Sequence, residues 1–183
     1  MVYQPAEDSY LLLAEVEKYL RSLKSKKIRV LDMGSGTGIQ AITCIKAGVK
    51  RKNVLALDID KEAVKMLKSQ KLKAIQSDLF SKIPKSKKFD LIIFNPPYLP
   101  EDKEGCDKGK DTTGGKRGYE TILKFLKQAK DYLSKNAAIL ILISSFSKPK
   151  IIEWYAKNLN YKIEKLAEKK LFFEKIEVWK LST

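Results

Sequence analysis

Short apolar runs alternate with amphipathic stretches from one end of the chain to the other. Residues 28–33, 53–57, 89–94 and 137–144 are runs rich in Val, Ile, Leu and Phe, and residues 73–76 are a shorter strand-like run around Ala74 and Ile75. Their near-continuous apolar character, without period-two alternation, predicts strands buried on both faces. Between them, residues 38–47, 61–70, 117–133 and 148–158 carry helical patterns. Within the third of these, Ile122, Leu123, Phe125, Leu126, Ala129, Tyr132 and Leu133 recur at helical spacing. A leading helix is predicted over residues 5–20. Pro5 suits a first helical position, and Glu7 and Asp8 complement the positive N-terminal end. Residues 161–165 and 172–181 read as a closing pair of strands. Strands alternating with helices predict an α/β fold with an open, doubly wound, mostly parallel sheet. No repeat, low-complexity tract or linker interrupts residues 1–183, which read as one domain. The long polar stretch 100–116 exceeds a plain connection and is expected to be a lid or a binding loop.

The first predicted strand runs into Asp32-Met33-Gly34-Ser35-Gly36-Thr37-Gly38 and then directly into a helix. Glycines at such a turn let a ligand approach the backbone. A glycine-rich turn also serves NAD and FAD, but here the spacing is G-x-G-x-G and not G-x-G-x-x-G. Asp32 stands two positions before Gly34, and Asp58 closes the second strand. Asp58 can accept from both hydroxyls of a ribose. An anion at Asp32 opposes a pyrophosphate and favours a cationic sulfonium with its ammonium group. Gln76-Ser77-Asp78-Leu79-Phe80 follows the third strand, where Asp78 could accept from an adenine amino group and Leu79 could donate a backbone N–H. Asp32, Asp58 and Asp78 thus fall at three successive strand ends, where open sheets bind ligands. The alternative reading is strand-end aspartates that solvate loops.

Phe94-Asn95-Pro96-Pro97-Tyr98 follows the most hydrophobic strand. Two prolines stiffen the turn and leave carbonyl acceptors. The Asn95 side-chain oxygen and the Pro96 carbonyl could take both hydrogens of a planar NH2 group. Tyr98 offers a flat face on which an amide or a base can stack. Pro97 completes the candidate acceptor site. The plain alternative is a rigid turn after a core strand.

Composition narrows the chemistry. With no histidine and two cysteines, Cys44 and Cys106, the chain has no Cys/His zinc site and no histidine general base. Cys44 lies on an apolar helix face and reads as core, although a Cys44–Cys106 disulfide is conceivable. No signal-like or membrane-spanning run is present, so a cytoplasmic location and no membrane partner are expected. The net charge of +15 fits either an anionic partner or a lysine-rich composition spread over every segment.

The D-x-G-x-G-x-G turn with Asn95-Pro96-Pro97-Tyr98 resembles the class I methyltransferases, and the whole pattern resembles the HemK family of protein-glutamine methyltransferases. The short archaeal and eukaryotic branch of that family is similar also in the opening segment, Val2-Tyr3-Gln4-Pro5-Ala6-Glu7-Asp8-Ser9-Tyr10. Gly114-Gly115-Lys116-Arg117-Gly118-Tyr119-Glu120 resembles its fourth-helix approach, and Leu171-Phe172-Phe173-Glu174-Lys175-Ile176 its last strand. The resemblance implies a seven-stranded Rossmann-like sheet with the last strand antiparallel. It implies S-adenosyl-L-methionine as cofactor, contacted by Ser9, Asp32, Gly34, Gly36, Asp58, Asp78 and Leu79. It implies no metal in the chain, and as substrate the glutamine of the Gly-Gly-Gln motif in a translation release factor, held by Asn95, Pro96, Pro97 and Tyr98. A small zinc-binding activator protein would join the sheet edge at the third strand. Two alternatives remain open from the residues: an amino methyltransferase acting on adenine or guanine of nucleic acid, and a cofactor-binding scaffold without activity.

Overall fold

The computed structural model describes residues 2–100 and 114–183. Most of the polar stretch expected to form a lid or binding loop, and Cys106 with the disulfide considered for it, lie outside the described residues. Seven strands form one sheet: β1 (Val30–Met33), β2 (Val54–Asp58), β3 (Lys73–Gln76), β4 (Phe89–Phe94), β5 (Leu133–Ser144), β6 (Lys162–Lys170) and β7 (Lys175–Ser182). Among the described residues five α-helices accompany them: α1 (Glu7–Ser22), α2 (Ile39–Lys46), α3 (Lys61–Ser69), α4 (Glu120–Ala129) and α5 (Pro149–Asn158). The strand order is β3-β2-β1-β4-β5-β7-β6. Strands β1 to β5 pair in parallel, and β7 lies antiparallel between β5 and β6. The expected α/β sheet with an antiparallel last strand is present.

Successive strand residues point to opposite faces, so each run serves two cores. Leu31, Met33, Ile92, Phe94, Ile139 and Ile141 meet Ile122, Phe125 and Leu126 of α4 and Ile152 of α5. Val30, Val54, Leu91, Ile93 and Leu140 meet Leu12 and Val16 of α1, Cys44 of α2 and Leu67 of α3. Double burial explains why these strands read as unbroken apolar runs. Among the described residues no helix is long and apolar enough to cross a membrane.

Several element boundaries differ from the sequence pattern. The helix expected over 117–133 shortens to α4, because Gly118 takes a left-handed φ of 83° before it and a 3-10 turn, Lys130–Tyr132, ends it. Leu133 therefore opens β5, whose polar start, Leu133–Asn136, hid the strand. Strand β6 extends to Lys170 although its residues are mostly exposed and lysine-rich. As an edge strand it has no second core to fill, and its lysines blunt edge-to-edge pairing. Phe172 and Phe173 are not in the last strand: they form a T-shaped pair in the β6–β7 turn, 92% and 82% exposed.

Candidate functional site

Strand order reverses between β1 and β4, which makes the tips of these two strands the topological switch point of the sheet. The register sets Met33 against Phe94 and Met33 against Leu57, so the residues that follow each strand emerge side by side. Gly34 and Asn95 are the first residues beyond β1 and β4. Asp58 at the end of β2 is in register with Gln76, the last residue of β3. The tips enclose a cavity of about 470 Å³, within the range of small-molecule sites. Ser9, Asp32, Gly34, Gly36, Asp58, Asp78, Leu79, Asn95, Pro96, Pro97 and Tyr98 all line it. The structure thus brings together every residue singled out in the sequence, and adds Tyr3, Asp8, Gln40 and Glu174.

The glycine turn is shaped by contact as well as by backbone angle. Gly34 has φ +60°, and a Cβ there would stand 3.3 Å from the Phe94 ring. A side chain at this position would crowd the Phe94 ring and be strained at that φ. One Asp58 oxygen accepts the Gly36 N–H at 2.8 Å, and the other accepts the Asp60 N–H at 2.9 Å. Asp58 therefore holds the turn as well as facing the cavity.

Asp32 is 1% exposed. It accepts the Ser35 hydroxyl and, at 3.1 Å, the Ala41 N–H. Burial pushes its carboxyl up from 3.8 to about 7; the two hydrogen bonds oppose this, and the nearby Asp58 adds to it. An anion so placed gains most from a cation brought into the cavity.

Asp78 follows β3 as expected, with a partner the sequence did not suggest. It is exposed, and its carboxylate accepts from Lys124 of α4 at 2.7 Å, so a ligand's amino group would share it with that ammonium. Leu79 is buried in a left-handed conformation, φ 46°, with its carbonyl accepting the Ser77 hydroxyl at 2.8 Å.

The acceptor side is assembled from distant segments. The Asn95 Nδ2 donates to Asp8 Oδ2 at 3.0 Å and to Ser9 Oγ at 3.4 Å. Its Oδ1 is sealed from solvent and has no hydrogen-bond partner among the described residues. A buried unpaired acceptor costs about 1–3 kcal/mol, which a donor entering the site would relieve. Asp8 also accepts the Tyr3 hydroxyl, 3.0 Å from either oxygen, and the Ser9 N–H at 2.6 Å. Burial, with the negative charges of Asp8 and Glu174, pushes the Tyr98 phenol well above its usual range. Below the turn, a Cβ on Gly114 would lie 2.6 Å from the Pro97 carbonyl oxygen, and one on Gly118 2.6 Å from that of Tyr98. The glycine-rich approach to α4 thus packs its backbone against the turn.

Sequence patterning missed Asp8 as a site residue because its place at the start of α1 already explained it. Gln40 was missed as one residue of an amphipathic helix; its Nε2 donates to the Ser9 carbonyl at 2.9 Å, joining α2 to α1. No local signal marked Glu174, which accepts the Ser144 hydroxyl at 2.6 Å. Among the described residues no cluster of His, Cys, Asp and Glu could hold a metal ion.

With this geometry in place, residues 8–172 match the methyltransferase small domain family. The chain belongs to that family. Over 98% of its length it is 38% identical to a Methanocaldococcus jannaschii protein, provisionally named as a protein N5-glutamine methyltransferase, and it covers 92% of that relative. It is 29% identical to the release factor glutamine methyltransferase of Fusobacterium nucleatum over 73% of this chain, spanning only 34% of that longer protein. A solved complex of E. cuniculi Mtq2 with Trm112, responsible for methylation of the eRF1 translation termination factor, superposes with a TM-score of 0.74 at 24% identity, covering 98% of this chain and 97% of that chain. At that identity the likeness speaks for the fold, and it agrees with the sheet order described above.

Proposed function

We propose that this protein methylates the side-chain amide nitrogen of a glutamine in a translation termination factor, with S-adenosyl-L-methionine as donor. The observation that carries the reading is the Asn95 Oδ1, an unpaired acceptor at the switch point of a methyltransferase-family sheet. The names of the archaeal and bacterial relatives support the glutamine amide as substrate.

The residues fit the cofactor. The backbone of Gly34 and Gly36 leaves room for its methionine chain, Asp32 suits an ammonium, Asp58 suits ribose hydroxyls, and Asp78 with Leu79 suits an adenine edge. When bound, the cofactor supplies an electrophilic methyl group. Everything else falls to this chain's own atoms. An amide nitrogen is a poor nucleophile because its lone pair is delocalised. Asn95 Oδ1 and the Pro96 carbonyl take its two hydrogens, polarise the N–H bonds and aim the lone pair, while Tyr98 fixes the amide plane. Such alignment can contribute about 7–11 kcal/mol without a strong base. Methylation would cost the nitrogen one of the two protons held by Asn95 Oδ1 and the Pro96 carbonyl, and that proton would pass to solvent water.

The protein would work in the cytoplasm. A small activator protein would pair with the outer edge of β3, where Lys73 and Gln76 are exposed. The test is incubation of the purified protein with labelled cofactor and, separately, a release factor bearing Gly-Gly-Gln and total RNA, followed by mass spectrometry. A single methyl on the glutamine is expected. Label in adenine or guanine with none on the protein would replace this reading with the nucleic-acid one.

A further inference from the structure

The amide of a free asparagine can turn over and present either oxygen or NH2. At Asn95 it cannot turn without loss. Its Nδ2 lies between two acceptors, Asp8 Oδ2 and Ser9 Oγ. Turning the amide would set its oxygen against the Asp8 carboxylate, acceptor against acceptor. Asp8 is itself held by further donors: the Tyr3 and Tyr98 hydroxyls, the Ser9 N–H and, at 3.3 Å, the Ser9 hydroxyl. It is 4% exposed. All these partners bring hydrogens to it, so its side chain acts as an acceptor throughout.

We infer that Asp8 is a positioning residue that locks Asn95 as an acceptor only, so the site takes a side chain that brings NH2 donors and rejects an isosteric one that brings a carbonyl or ester oxygen in their place. This rests on the functional reading above and deepens it. The ordinary role of Asp8, an acidic residue in the first turn of α1 that complements the positive end of the helix, accounts for stability. It does not account for a hydrogen bond to a side chain 87 positions away. The lock acts on glutamine against glutamate, which has the same shape, and against its methyl ester, which is neutral and one methyl group larger. A flexible asparagine would bind both, with Oδ1 toward the amide and Nδ2 toward the ester. Substrate discrimination therefore resides in a residue that need not touch the substrate.

The experiment uses the full chain, a Gly-Gly-Gln peptide, and the same peptide with the glutamine replaced by the γ-methyl ester of glutamate, which is neutral and has no NH2. In wild type the ester peptide should inhibit with an affinity at least about tenfold below that of the glutamine peptide. Equal affinities overturn the inference, and this arm needs no variant. In Asp8→Asn the new side chain can pair with Asn95 in either orientation. The preference should shrink to about threefold or less and kcat should fall about tenfold or more, while cofactor affinity stays within about threefold. A fall in kcat with the preference unchanged would mean that Asp8 serves the fold alone, and would overturn the lock. A glutamine peptide that is neither bound nor methylated overturns the functional reading and the inference with it; a methylated peptide with the wrong preference overturns the inference only.

Discussion

The donor side of the cleft and the acceptor side are built in different ways. The donor side follows the chain closely: strand β1, the glycine turn and α2 are consecutive, and Asp58 reaches back over one helical connection to hold Gly36. Each of its parts would take nearly the same shape in any βαβ unit of this handedness. The acceptor side joins Tyr3, Asp8 and Ser9 to Asn95 and Tyr98, with Gly114 and Gly118 behind them. No stretch of it forms alone. The lesson is that cofactor binding is a local property here, whereas aiming the acceptor is a property of the closed fold. The two sides should fail separately.

The largest expected effect is on the acceptor side. Asn95→Ala should lower turnover by about 100-fold or more, the range found when one preorganised hydrogen-bonding group is removed from a reacting centre; rate measurement under saturating cofactor checks it. On the donor side, Asp58→Ala should weaken cofactor binding by about 2 kcal/mol, roughly thirtyfold. Because Asp58 also holds the Gly36 N–H, the glycine turn should loosen with it. Calorimetry reads the affinity, and hydrogen exchange at Gly36 reads the turn.

Asp32 gives the donor side a pH dependence. Its carboxyl is raised from 3.8 to about 7, so the folded protein holds a proton that the unfolded chain releases. Stability from this group is present at low pH and declines as pH rises through the window from about 4 to about 7. Cofactor binding runs the other way, because a cation favours the ionised form. Affinity should weaken up to about tenfold per pH unit below pH 7, with release of the Asp32 proton on binding visible as a buffer-dependent heat. A flat profile between pH 6 and 8 would mean that Asp32 does not face the cation.

Gly118→Ala sharpens the contrast from behind. The residue is left-handed, and a Cβ would stand 2.6 Å from the Tyr98 carbonyl oxygen. A loss of about 1–3 kcal/mol is expected, with slower turnover and unchanged cofactor affinity. The smallest effect belongs to Lys124→Met. Its ion pair with Asp78 is half exposed on both partners, so cofactor affinity should shift less than about fivefold.

How far the sequence could be read follows the same division. Strands β1, β2 and β4 were legible because each is buried on two faces and largely apolar. The donor residues were legible because their spacing along one strand–turn–helix unit already dictates their meeting. Strand β6 was obscure because an edge strand has no such burial, and the polar start of β5 concealed four of its residues, Leu133–Asn136. The Asp8–Asn95 hydrogen bond was hidden for another reason: it joins residues 87 positions apart, and only the packing of α1 against the sheet brings them together. Asp78 was placed correctly at the tip of β3, but its pairing with Lys124 depends on where α4 docks, which no local pattern specifies.

Calorimetric titration of Asn95→Ala with the cofactor tests the separation of the two sides most directly. The account predicts a dissociation constant within about threefold of wild type in a protein that no longer transfers methyl groups; a thirtyfold loss of cofactor affinity would contradict it.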